Sequence, residues 1–185
     1  MRQGYRRLSG PAWRAYHAGM PDAPGTLEFV AIRRGEPADR DALAALIAAN
    51  GAGGRHRTEE LAHLLSSREH FIYLAETEAP FGFVGAGPAD EAITGPGAGE
   101  LVALYLHPQF HGQGMGKKLL VRGLSVLKRR GFERSFAFVP AASVSAVSVF
   151  RAIGFEPIDG VEREVNEGAS TARECGYSIS LDDFF

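Results

Sequence analysis

The sequence predicts a mixed α/β domain, a central sheet of about six to seven strands flanked by about four helices, and three observations carry that prediction. Short runs dense in β-branched and aromatic residues alternate with Ala/Leu-rich runs of helical periodicity, in the order βααβββαβαββ. One run, Glu100 to His107 (ELVALYLH), is almost wholly apolar, the pattern of a central strand covered on both faces. Directly after it, Met115, Leu119, Leu120, Leu124 and Leu127 recur at helical spacing from Met115 to Arg130.

The elements follow in order. Phe29 to Arg33 reads as a first strand, and a helix runs from about Asp39 to Asn50 with Gly51 as its C-terminal cap. A second helix starts with Thr58 as cap and runs to about Ser67. His70 to Glu76 and Phe81 to Ala86 form a hairpin across Glu78-Ala79-Pro80. A Gly/Pro-rich loop, Ala92 to Gly99, precedes the apolar strand, which Pro108 stops. The Met115–Arg130 helix ends on Arg129 and Arg130, which suit its negative end, and on Gly131 as cap. Phe132 to Val139 is a strand, Ser143 to Ala152 a short helix, Phe155 starts another strand, and Cys175 to Leu181 is the last.

A chain of 185 residues is most economically one domain, 27–185, preceded by an extension, 1–26, that the Pro/Gly/Asp-rich stretch Pro21–Thr26 sets apart. With 45% hydrophobic and 23% charged residues it has the balance of an ordinary soluble protein. A net charge of -2 gives no overall pull toward nucleic acid or membrane, so any anion site must be local. The single cysteine, Cys175, excludes an internal disulfide and a cysteine-cluster zinc site, and reads as a small core residue. No stretch reaches the roughly 18 apolar residues of a membrane span. The basic first twenty residues lack the apolar core of a secretory signal and fit a transit peptide only weakly, so the expected location is cytoplasmic.

The segment that carries chemistry is His111-Gly112-Gln113-Gly114-Met115-Gly116-Lys117, between the apolar strand and the amphipathic helix. Three alternating glycines strip side chains from the turn, so a ligand can approach the backbone. The helix start behind them offers unpaired N–H groups and a positive dipole end, a combination that favours an anion such as a pyrophosphate. A tight turn without a ligand needs fewer glycines. Other phosphate motifs fail: G-x-x-x-x-G-K-[ST] would begin on His111 and end on Lys118. G-x-G-x-x-G from Gly112 or Gly114 would end on Lys117 or Leu119.

His111 to Gly116, after Leu104-Tyr105-Leu106-His107-Pro108, resembles the [RQ]-x-x-G-x-[GA] loop that follows an L-Y-V-x-P strand in the GNAT acetyltransferases. Ser143-Val144-Ser145-Ala146 through Phe150 to Gly154-Phe155 resembles the family's N-x-x-A-x-x-x-Y-x-x-x-G-F, with Ala146, Gly154 and Phe155 at matching spacing. The resemblance covers about Glu28 to Leu181 and implies that family's fold, with a splayed central strand pair that binds acetyl-CoA. It further implies transfer of an acetyl group to a primary amine, by direct attack in a ternary complex. Three positions depart from the pattern. His111 stands for Arg or Gln, Ser143 for Asn (and can still cap its helix), and Phe150 for the Tyr often assigned as the acid that protonates the leaving thiolate. Phenylalanine has no proton to give.

The resemblance places the pyrophosphate on His111, Gly112, Gln113, Gly114, Met115, Gly116 and Lys117. It places the pantetheine arm along the backbone of Leu104, Tyr105 and Leu106, with Ser143 and Phe150 beside the coenzyme. A backbone N–H near Leu104 to Leu106 would polarise the thioester carbonyl. Strand alternation puts Glu100 on the face of Val102, Leu104 and Leu106, where apolar neighbours would raise its pKa and suit it as general base. An exposed glutamate at a strand start is the plain alternative. Tyr105 then points to the opposite face as a core residue, or as a second catalytic hydroxyl, and Tyr177 is a candidate for the missing acid. His107 and His111 share no helical face, His56, His63 and His70 fall in different elements, and no H-E-x-x-H occurs, so no metal is expected.

Two readings compete with the enzyme. A GNAT-like module that holds acetyl-CoA without turnover would be consistent with Phe150, and an arginine-bearing extension (Arg2, Arg6, Arg7, Arg14) could meet nucleic acid, although such a tail is ordinarily just solvated. The basic segment Gly51 to Arg57 is expected to border the acceptor pocket, a faint hint of a carboxylate-bearing amine. A monomer and a homodimer are both compatible with these readings.

Overall fold

A computed structural model describes residues 30–50, 55–167 and 170–182, with the backbone alone at 55–59, 166, 167 and 170. The elements are β1 (Ala31–Arg34), α1 (Arg40–Ala49), α2 (Arg55–Ser66), β2 (Phe71–Glu76), β3 (Pro80–Pro88), α3 (Glu91–Thr94), β4 (Ala98–Leu106), α4 (Met115–Arg129), β5 (Arg134–Pro140), α5 (Val144–Arg151), β6 (Glu156–Glu167) and β7 (Ser170–Ser180). They make one seven-stranded sheet, ordered β1-β2-β3-β4-β5-β7-β6. Only β4 and β5 run parallel; every other neighbouring pair is antiparallel. The mixed sheet with flanking helices is thus the architecture expected from the sequence. Among the described residues no helix is long and apolar enough to cross a membrane.

Several boundaries differ from the expected ones for local reasons. Helix α2 is already helical at Arg55, so Thr58 lies inside it and is not its cap. The expected cap Gly51 and the extension before β1 lie outside the described residues. The Gly/Pro-rich loop contains a helical turn, α3, because the Asp90 side chain accepts the Ala92 N–H at 2.9 Å. Ser143 caps α5 as expected, its hydroxyl accepting the Ala146 N–H at 3.3 Å.

The sheet buries both faces. On the front, Leu43, Leu46 and Ile47 of α1 and Leu61 and Leu64 of α2 pack on Ile72, Leu74 and Phe83. On the back, Met115, Leu119, Leu120, Leu124 and Leu127 of α4 pack with Phe150 of α5 on Val84, Leu101, Val139 and Tyr177. The α4 stripe predicted from spacing is therefore the back core. Gly123 lets that helix approach closely, since a Cβ there would lie 2.8 Å from Leu101 Cδ2 and 3.1 Å from Val84 Cγ2.

Candidate active site

Two irregularities of β4 shape the site. The first is where its pairing stops. β4 meets β5 only at Ala98, Gly99 and Glu100, against Arg134, Ser135 and Phe136. Beyond that, β4 stays with β3 up to Leu106 while β5 follows β7 up to Pro140, and the two parallel strands diverge. His107 donates its N–H to the Phe81 carbonyl at 2.8 Å, so ladder alternation turns the backbone groups of Leu106 and Leu104 the other way, into the widening gap. This is the splayed pair implied by the resemblance. It also explains why β4 is half-buried from Val102 onward, where its apolar composition had implied cover on both faces.

The second irregularity is a bulge. Gly85 pairs with Ala103 but Ala86 pairs with Leu101, which leaves Val102 as an extra residue on β4. Val102 and Ala103 consequently both pack on the front cluster, together with Tyr105. Glu100 registers with Gly87 and Phe136 and lies between Gly99 and Leu101, both of which face α4 on the back. Glu100 therefore turns to the front, beside Val102 and on the same side as Tyr105, while Leu104 and Leu106 turn to the back. Simple alternation had put Glu100 with Leu104 and Leu106 and had set Tyr105 opposite; the extra residue reverses both assignments.

The gap runs toward the glycine loop. Gly112 and Gly114 have φ of 75° and 78°, the left-handed region that favours glycine, and a Cβ at either would meet nothing within 4 Å. Gly114 is the residue before α4, and its carbonyl accepts the Lys118 N–H at 3.1 Å. The N–H groups of Met115, Gly116 and Lys117 precede the first intrahelical donor. They face an open surface at the positive end of a 15-residue helix, with Lys117 and Lys118 exposed beside it. This is an arrangement that suits a pyrophosphate. His111, at the loop start, places Nε2 2.8 Å from the Leu106 carbonyl and so ties the loop to the end of β4. Gln113 donates to the Gln109 carbonyl at 3.0 Å.

On the front, Tyr105 stacks on Phe83 with centroids 5.2 Å apart. Both line a solvent-open cleft with Ile47, Glu60, Leu61, Leu64, Val102 and Ala103. Burial holds the Glu100 carboxyl above the usual glutamate range, and the carboxylates of Glu60, Asp90 and Glu174 push the same way against the field of Arg163. On the back, Phe150 is 5% exposed and packs edge-on against Phe155, with ring centroids 5.0 Å apart. Tyr177 is 6% exposed in that same cluster. Glu100 and Tyr177 thus lie on opposite faces of the sheet. Glu60, Phe138, Arg163 and Glu174 escaped the sequence reading, since isolated charges in a helix and a hairpin show no spacing that points to a site.

Residues 41–155 match the family model described as the acetyltransferase (GNAT) family. Over 61 residues the chain is 39% identical to a mycothiol acetyltransferase of Salinispora arenicola, a stretch covering 32% of this chain and 20% of that protein. The chain spans from 19% to 60% of the length of the curated relatives it matches. The ribosomal-protein-S18-alanine N-acetyltransferase of Escherichia coli superposes with a TM-score of 0.69 at 14% identity, over 83% of this chain and 94% of that one. The structure of yncA from Salmonella typhimurium, with its cofactor acetyl-CoA, superposes with a TM-score of 0.65 at 19% identity, over 84% of this chain and 96% of that one. At such identities the superpositions speak for the fold.

Proposed function

Because the chain belongs to the GNAT family of acetyltransferases, we propose that it transfers the acetyl group of acetyl-CoA to a primary amine in a ternary complex. One observation carries this reading: the gap between β4 and β5 is edged by outward-turned backbone of Leu104 and Leu106 and leads to the glycine loop that starts α4. The open space over Gly112 and Gly114 fits a pyrophosphate, which the N–H groups of Gly112 to Lys117 would hold. The backbone of Leu104 to Leu106 would pair with the pantetheine arm as an added strand. Acetyl-CoA supplies an activated thioester carbonyl that an amine attacks directly.

The chain's own residues then have three tasks. An N–H of Leu104 or Leu106 faces the gap and can donate to a carbonyl oxygen held there, where fixed donors favour developing negative charge. The two walls hold both substrates at once, and positioning supplies much of the acceleration. Glu100, on the front face at the point where the strands part, receives the proton that an ammonium must lose, directly or through water. With Phe150 in place of a hydroxyl, the thiolate takes its proton from Tyr177 on the back face or from solvent.

The test is calorimetric titration of acetyl-CoA into the wild type and a Gly114→Glu variant. The new carboxylate would project into the loop at a left-handed position. Micromolar binding that disappears in the variant supports the reading; no binding by the wild type removes it. Binding without thiol release on any amine would instead favour a module that holds acetyl-CoA without turnover, the reading that Phe150 motivates.

A further inference from the structure

Beside the gap, on the front of β5, stands a charged cluster outside the proposed coenzyme site. Glu174 of β7 is only 5% exposed, and its carboxylate accepts a hydrogen bond from Arg163 Nε at 2.8 Å. The Arg163 guanidinium lies over Phe138, its Cζ 3.9 Å from the ring centroid. Phe138 is in turn edge-on to Phe136, centroids 4.9 Å apart, and Phe136 registers with Glu100. A half-exposed arginine is thereby fixed from two sides, by a buried carboxylate and an aromatic face. Its Nε is engaged while its two terminal nitrogens remain as donors, a fork suited to a carboxylate.

Three features now converge on the front of the parting strands. Glu100 is a carboxyl opposite Phe136, whose neighbour Phe138 carries Arg163 on its ring. Arg163 is a held cation. Between β4 and helices α1 and α2 lies a cleft walled by Ile47, Leu61, Leu64, Phe83, Val102 and Tyr105. An ammonium needs the first, a carboxylate the second and an apolar side chain the third.

Resting on the acetyltransferase reading, we propose that the acceptor is an amino-acid zwitterion with an apolar side chain. Its amine lies at Glu100, its carboxylate on the terminal nitrogens of Arg163, and its side chain in the Tyr105–Leu61 cleft. Glu174 and Phe138 act as positioning residues for Arg163. Among the described residues lining the cleft Glu60 is the carboxylate, and it adds to the negative field on the amine side. The charge pair also selects against a plain alkylamine, which would leave the arginine fork without its partner.

The experiment uses the full chain with acetyl-CoA and follows free thiol with three acceptors: leucine, isopentylamine (the same body without the carboxylate) and glycine (the zwitterion without the body). Leucine is expected to exceed each of the others at least tenfold in kcat/KM. Arg163→Gln is expected to lower the leucine-to-isopentylamine ratio at least tenfold, with Arg163→Lys restoring part of it and Glu174→Gln moving it in the same direction by less. Calorimetric titration of leucine into the coenzyme-A-loaded protein should show binding that Arg163→Gln weakens at least tenfold. Isopentylamine used as well as leucine, or an Arg163→Gln variant that loses both acceptors equally, would overturn the proposal while the acetyltransferase reading stands. Failure of the wild type to bind acetyl-CoA would remove both together.

Discussion

At the residue scale, Glu100 links the bulge, the field and the chemistry. Its carboxyl is held above the ordinary range chiefly by burial, so the ionised form that the proposed base role requires fills at higher pH than for an exposed glutamate. The ascending limb of kcat/KM against pH should therefore lie above 4.5 and move down in Glu60→Gln, which removes a like charge. Glu100→Gln should lower kcat by about a hundredfold. The stability sign is opposite. A carboxyl whose folded pKa is raised contributes stability below its unfolded pKa and loses it as pH rises through the folded one. Glu100→Gln is thus expected to melt higher than the wild type at pH 7 to 8, and the gain should vanish below about pH 4.5. Loss of activity with unchanged or lower melting temperature would mean that Glu100 is a structural group. Part of this site was legible from residues alone. The glycines at 112 and 114 had to mean backbone exposure, and the structure gives both left-handed φ. The facing of Glu100 was not legible, because one extra residue at Val102 inverts alternation and no side-chain pattern announces a bulge.

At the element scale, α4 is both the back wall of the core and the support of the glycine loop. Its stripe was readable because helical burial repeats in the sequence, and Leu119, Leu120, Leu124 and Leu127 are each fully buried. Gly123 was not readable as a packing residue, since on propensity alone a helical glycine only destabilises. The structure reverses the expectation for Gly123→Ala. A methyl group would meet Leu101 and Val84 below 3.2 Å, so overpacking should outweigh the propensity gain and the variant should lose about 1 kcal/mol. Chemical denaturation checks this, and a stabilised variant would show that α4 can shift on the sheet. Because the helix carries the loop, the same variant should also weaken acetyl-CoA binding without touching it. The front helices were predicted with less success: α2 starts three residues before its expected cap, because helical backbone at Arg55 precedes the capping signal at Thr58.

At the scale of the whole molecule, the sheet is two half-sheets, β1 to β4 and β5 to β7, joined by three residues on each strand of one parallel pair. The element order foretold seven strands, and the resemblance foretold the parting, but no run of residues predicts where pairing stops. The back cluster spans both halves while the front helices pack on β2 to β4 alone, so the amides of residues 137–140 should exchange differently from those of 101–106. Hydrogen exchange should show both segments gaining protection when acetyl-CoA is added, and gain on one side alone would argue against a ligand lying between them.

The same parting has a consequence for the protein as a colloid. Unpaired strand backbone inside a sheet is chemically the same object as an outer edge, a row of donors and acceptors that another chain can zip onto. Natural sheets blunt their outer edges with lysine, proline or a bulge; here the inner edge of β4 carries Leu104 and Leu106 and no charge. A coenzyme bound there would stabilise the fold and also act as a plug that denies this template to neighbouring molecules. On warming, turbidity should rise later in its presence than the change in melting temperature alone accounts for.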